Sequence, residues 1–192
     1  MPGPAAAFYF DLASAQAYLA AEQALSLLPG VEWQPVLIDE AALRCEHERQ
    51  QALREHVERR VRELGLQPLR WPTPYPFDST LAMHVATYAK AIGRTVPFAQ
   101  AAFRQAFAGG RCLAEEDSVL IAAAACEMHP AAVLRGASLR STREQLALAT
   151  EQARRDGVRE VPAVRIGEQV LHGEVALERA AALLHERPLP QL

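Results

Sequence analysis

Strand-like sequence is confined to the two ends of this chain, and that confinement restricts its fold more than any other feature. Residues 6–10 (AAFYF) and 31–38 are short apolar runs rich in aromatic and β-branched residues, flanking a helical stretch over about 14–28 that stops at Pro29-Gly30. From about residue 49 to 156 the periodicity is helical almost throughout. Strands return at 163–166 and 169–171, separated by a turn at Gly167-Glu168, and a last helix is expected over 174–185. The order is therefore β-α-β, a helical block, then β-β-α, an α/β chain without internal repeats.

Within the helical block, Leu53, Val57, Val61 and Leu64 mark one amphipathic face, with Gly65 as its stop. Leu81, Val85, Tyr88 and Ile92 predict a second apolar stripe. The segment LQPLRWPTPYPFD between them carries four prolines and reads as an extended connector. Pro97 suits the first turn of a helix ending at Gly109-Gly110. Further helices are expected over 117–128, 130–136 and 141–156, the last opened by a capping box of Ser141 and Glu144 and closed by Gly157.

The first strand hands over to the first helix through FYFDLASAQAYLA. A helix start at the C-terminal end of a strand presents unpaired N–H groups and the positive end of the helix dipole. Ser14 is thus placed either to meet an anion or simply to cap the helix, a role for which serine is well suited. Val161-Pro162, just before the third strand, reads either as a cis-proline or as a proline opening a strand.

Composition excludes several classes. The 192 residues are 50% hydrophobic with a net charge of −3, which suits a soluble globular protein. Arginine supplies 19 of the 20 basic residues, but these interleave with glutamates as on a solvated helix face, so no nucleic-acid partner is expected. No apolar run reaches membrane-spanning length, and MPGPAAAFYFDL has neither a charged n-region nor a long h-region; a cytoplasmic location is expected and no membrane partner. Cys45, Cys112 and Cys126 are widely spaced and form no C-x-x-C pair, so they read as ordinary thiols. Cys45-Glu46-His47 has the look of a metal fragment but lacks a second cluster, and no metal is expected. His84 and His129 read as packing or surface histidines, and Trp33 as a core anchor.

FYFDLASAQAYLA resembles the FYFDxxSPYSYLA signature of 2-hydroxychromene-2-carboxylate isomerases, relatives of the kappa-class glutathione transferases within the DsbA superfamily. GVREVPAV resembles their GVxGVPTF segment, and further similarity runs through EHVERRVRELGLQPLRWPTPYPFDSTLAM, PFAQAAFRQAFAGGR and VLHGEVALE. The resemblance implies a thioredoxin-like fold over 1–40 and 157–192 with a large α-helical domain, 41–156, inserted in its middle. It places S-A-Q-A where DsbA-type oxidoreductases carry C-x-x-C. With Ser14 and Ala17 at both thiol positions, dithiol exchange has no nucleophile and no resolving thiol there.

The implied function is glutathione-dependent isomerase or transferase chemistry on a small aromatic electrophile. Glutathione is the implied cofactor, Ser14 its thiolate holder, and Val161, Pro162, Gly173 and Glu174 further glutathione-binding positions. Gln16, Trp71 and His172 would border the substrate pocket, and a homodimer is the implied assembly. The alternatives are a non-catalytic thioredoxin-fold protein that binds a peptide or small molecule, and a DsbA-family homologue that has lost its cysteines. Three segments depart from the family pattern. Ala15-Gln16 replaces Pro-Tyr, leaving Gln16 to offer a hydrogen bond in place of an aromatic ring. The WGxDR element that grips the γ-glutamyl end appears as His172-Gly173-Glu174-Val175-Ala176, so its Asp and Arg are Val175 and Ala176. The family's Asn and Lys contacts after the second strand have no counterpart in IDEAALRCEHERQQ.

Overall fold

The computed structural model of the protein describes residues 6–37 and 47–186. Within them the chain runs β1 (Ala6–Phe10), α1 (Ala15–Leu27), β2 (Glu32–Pro35), α2 (His47–Glu63), α3 (Thr80–Ala91), α4 (Thr95–Phe107), α5 (Glu116–Ala124), α6 (Pro130–Ser138), α7 (Arg140–Arg155), β3 (Ala163–Ile166), β4 (Gln169–His172) and α8 (Ala176–Glu186). This is a thioredoxin-like α/β fold with a helical insertion. The sheet order is β2-β1-β3-β4. β1 pairs parallel with β2, Phe8 opposite Trp33, and antiparallel with β3, Phe8 opposite Val164. β4 returns antiparallel on β3. Ile38, Cys45 and Glu46 lie outside the described residues, as does the boundary at 40.

Alternation along β1 divides the core between two faces. Phe8 and Phe10 point into the large hydrophobic cluster with α1, α3, α4 and α8, whereas Ala7 and Tyr9 join Val36, Val161, Ala163 and Ala153 of α7 on the other side. Trp33 edges onto both Phe8 and Phe10, and Phe10 meets Phe103 of α4 with ring centroids 5.9 Å apart. The insertion thus covers both faces of the sheet, α4 on one and α7 on the other. Thr150 of α7 adds a polar tie, its Oγ1 accepting the Leu37 N–H at 2.9 Å. At the β2 edge, Lys90, the chain's single lysine, donates to Glu32 Oε1 at 2.6 Å and to the Trp33 carbonyl at 3.3 Å.

Two sequence expectations fail at the level of side chains. On α3 the buried face is Ala82, Met83, Val85, Ala86 and Ala89, while Ile92 is 47% exposed. Small residues win the inner face because α3 lies close against α6. The Ser141–Glu144 capping box does not form: Leu139 is the N-cap of α7, no side chain caps it, and Glu144 instead accepts from Arg140 at 2.6 Å. Gly65 and Gly157 do end their helices at positive φ. Leu66 N–H bonds to the Val61 carbonyl and Val158 N–H to that of Ala153, closing the last turns.

The closeness of α3 and α6 is carried by Gly136. A Cβ there would lie 2.3 Å from Cδ2 and 2.4 Å from Cε2 of Tyr88. Gly136→Ala should therefore destabilise the fold by about 1–3 kcal/mol in urea denaturation through overpacking, reversing the roughly 1 kcal/mol that alanine gains over glycine in a helix. An unchanged or raised midpoint would mean that Tyr88 moves aside freely.

Candidate active site

Ser14 is the N-cap of α1, with an extended backbone at φ −87° and ψ 112°. Its Oγ accepts the Ala17 N–H at 3.1 Å, and its carbonyl accepts the Tyr18 N–H at 3.0 Å. The capping role is therefore filled. The same hydroxyl faces the sheet and donates to the Val161 carbonyl at 3.4 Å, across 147 residues of sequence. The Val161-Pro162 bond is cis. Because β1 lies beside β3, the end of one strand and the start of the other bring these groups to one sheet edge. Ser14 and Val161 are nearly covered, at 5% and 8% exposure.

The turn that presents Ser14 depends on Asp11, which the sequence reading quoted but gave no role. Its carbonyl accepts the Ser14 N–H at 3.0 Å and its Oδ1 the Ala13 N–H at 2.9 Å, an Asx-type turn that leads directly into the cap. The helical insertion reaches the same turn through Met83, whose sulfur lies 3.3 Å from the Leu12 nitrogen. No acidic residue occupies the first turn of α1, and Asp11 on the preceding turn is the carboxylate bonded nearest to it. Gln16 is half-buried on that turn.

One turn further along α1, Tyr18 stacks on Phe107 at 5.5 Å, and Phe107 in turn meets Trp71 and Tyr75 edge-on at 6.1 and 6.0 Å. Trp71 is thus joined to α1 by a continuous run of ring contacts through the buried Tyr18 and Phe107. Its Nε1 donates to Glu58 of α2 at 2.9 Å, and the Arg54 guanidinium lies 4.6 Å over its ring. Burial, then Glu22, pushes the Tyr18 phenol up to about 12, against the opposing influence of Arg104.

His172 and Glu174 are engaged within the protein. The His172 Nε2 accepts the Arg159 N–H at 3.2 Å and so braces the loop before Pro162. Gly173, at φ 84°, donates its N–H to the Pro162 carbonyl at 2.9 Å. Glu174 is 8% exposed, and its carboxylate is taken by two side chains of α2: His56 Nε2 at 2.6 Å and the Arg60 guanidinium. Sequence reasoning missed both partners, although their i, i+4 spacing places them on one helix face. Val175 is 50% exposed, whereas Ala176 is 1% exposed at the start of α8. Of the two positions that depart from Asp-Arg, then, only 175 has room for a charged side chain.

Among the described residues no cluster of three His, Cys, Asp or Glu converges as metal ligands, and no helix is long and apolar enough to cross a membrane. Cys112 and Cys126 are buried free thiols, and burial pushes the Cys126 thiol up, away from thiolate chemistry. A groove of about 580 Å³ between α4 and α5, lined by Gln100, Arg104, Ile121 and Cys126 among others, lies apart from Ser14, Val161, Pro162 and Glu174, none of which lines it.

A profile of the DSBA-like thioredoxin domain matches residues 6–185. No curated protein sequence matches the chain. Among solved structures, a 2-hydroxychromene-2-carboxylate isomerase superposes with a TM-score of 0.80 at 20% identity, covering 94% of each chain. A probable DsbA oxidoreductase from Streptomyces coelicolor gives 0.75 at 19% identity, covering 98% of this chain and 93% of that one. The cytosolic disulfide reductase DsbM from Pseudomonas aeruginosa with GSH gives 0.67 at 15% identity, with coverage of 94% and 97%. At these identities the likeness is one of fold.

Ser14→Ala should lower stability by about 1 kcal/mol in urea denaturation, the usual cost of losing a serine cap. A second expectation concerns alkaline pH. The Tyr18 phenol ionises less readily in the folded chain than in the unfolded one, so stability is whole below pH 10 and declines as pH rises towards about 12. Urea midpoints across that window should decline less steeply in Tyr18→Phe than in the parent.

Proposed function

Given that the chain belongs to the family of DSBA-like thioredoxin domains, we propose that it is a glutathione-dependent isomerase or transferase-like protein acting on a small aromatic electrophile. The observation that carries this reading is the Ser14 hydroxyl at the start of α1, set beside the Val161 carbonyl with a cis-proline following and no cysteine at either position 14 or 17. A hydroxyl and a helix N-terminus are donors that suit a thiolate and cannot themselves exchange a disulfide. The adjoining Val161 backbone suits an extended thiol-bearing peptide.

The residues fit the cysteinyl part of glutathione. Ser14 would turn its hydroxyl proton from the Val161 carbonyl to the sulfur, the freed Val161 backbone would pair with the peptide, and Pro162 and Gly173 would shape the edge. When bound, glutathione supplies a nucleophilic sulfur that adds reversibly to a conjugated carbonyl compound. The chain's part is to keep that sulfur ionised, with the partly exposed Trp71 and Tyr75 bordering the substrate. Gln16 and His172 border the same edge. A homodimer in a cytoplasmic setting belongs to this proposal.

The γ-glutamyl end fits less well, since Val175 is apolar, Ala176 is buried and Glu174 is bound to α2. Those three facts favour a second reading, a non-catalytic protein that binds a thiol peptide at the same edge. Each missing charge-assisted contact is worth about 1.5–3 kcal/mol, so wild-type affinity should fall in the sub-millimolar to millimolar range.

Calorimetric titration with glutathione, together with thiolate absorbance of the bound ligand, tests the proposal. Wild type should bind weakly and lower the ligand's thiol pKa. Ser14→Ala should weaken binding about tenfold and abolish the thiolate signal, and Val175→Asp should tighten binding through the ligand's ammonium group. Binding without a thiolate signal would leave the second reading, and absence of binding would remove glutathione from the account. Insulin reduction that persists after replacement of Cys45, Cys112 and Cys126 would overturn both.

A further inference from the structure

Glu174 is a buried carboxylate at the corner between β4 and α8, and its two partners come from a distant element. Arg60 donates its Nε–H to one oxygen while His56 Nε2 lies 2.6 Å from the other. Around this pair, Arg60 also bonds Glu63 at 2.7 Å and stands 3.9 Å from Glu178, and Arg59 lies 4.0 Å from Glu63. Arg59 also reaches the other ring nitrogen of His56, Nδ1, at 3.1 Å. A guanidinium only donates, so Nδ1 must accept, and the imidazole proton sits on Nε2, directed at Glu174.

The corner held in this way is continuous with the proposed ligand edge. Gly173 precedes Glu174, and its N–H is the donor to the Pro162 carbonyl at 2.9 Å; Val161 is the next residue back, with its carbonyl facing Ser14. On its opposite side α2 is anchored independently, through Val57 and Val61 in the core and through Glu58 and Arg54 on Trp71. A helix anchored elsewhere in the core therefore grips the buried carboxylate of the β4–α8 corner.

We infer that His56 and Arg60 are positioning residues for the ligand edge, acting through Glu174 to hold Gly173 and the Val161-Pro162 backbone in register with Ser14. The inference rests on the proposed glutathione site for its functional consequence, but the mechanical part stands without it. Glu174 then serves the site without touching the ligand.

The test follows the Gly173 amide by hydrogen exchange and, in the same variants, the dissociation constant for glutathione. Arg60→Met should speed Gly173 exchange about tenfold or more, leave the β1 amides of Ala7 to Tyr9 unchanged, and weaken glutathione binding severalfold. Arg60→Lys should recover part of the loss, and His56→Gln, which keeps a donor and an acceptor, should retain more than His56→Leu. The double variant Arg60→Met with Glu174→Met removes both charges together, so its thermal stability should recover relative to Arg60→Met while Gly173 stays unprotected. Unchanged Gly173 exchange in Arg60→Met, or exchange rising in step with the β1 amides, would overturn the inference. If wild type does not bind glutathione, the proposed function fails, and the exchange data alone decide the clamp.

Discussion

The pairing of β1 with β3 is the constraint on which the rest depends. About two-thirds of the chain lies between β2 and β3, and only when Phe8 comes opposite Val164 do the ends of the chain form a common sheet. That contact carries a large loop-closure entropy, offset by burial on both faces of β1: Phe8 and Phe10 against α1 and α4, Ala7 and Tyr9 against α7. The helices could not be arranged independently of this strand, because they are what its two faces are buried by. The candidate site is a by-product of the same pairing, lying where β1 ends and β3 begins.

Three parts of the insertion reach that site, by different physical means. Met83 approaches the turn before Ser14 through a soft sulfur contact, Phe107 links Tyr18 to Trp71 through ring packing, and α2 grips the β4–α8 corner through charge. Only the last is strongly directional, because a buried carboxylate with one donor removed is left unsatisfied. Polar groups at the corner thus fix geometry, while apolar groups supply most of the cohesion.

Much of the architecture was legible in the sequence because period and punctuation agree in it. Strands at 6–10 and 163–166 coincide with the structure, and glycines at 65 and 157 end helices where their positive φ is needed. Ser14 and Val161-Pro162 were legible as a pair only through family resemblance, since nothing local in either segment refers to the other. The α3 stripe was misjudged at Ile92 because periodicity ranks residues by hydrophobicity, whereas close helix contact selects alanine and the glycine of α6. The Ser141–Glu144 box lost to Arg140, which captures Glu144 across one turn. Asp11, His56 and Arg60 were invisible as functional groups, for their roles are defined by partners one turn or a hundred residues away.

Lys90 carries a consequence of another kind. Among the described strands β2 is an edge, and an edge offers carbonyls to any passing strand. Lys90 occupies the Trp33 carbonyl and draws Glu32 over the same rim, so a second chain seeking to extend the sheet would meet a hydrated charge instead of an acceptor. In a sequence that otherwise uses arginine for every cation, resistance of this edge to self-assembly is vested in one primary amine. Acylating reagents that spare guanidinium groups would remove its charge and leave the Trp33 carbonyl open to a pairing strand.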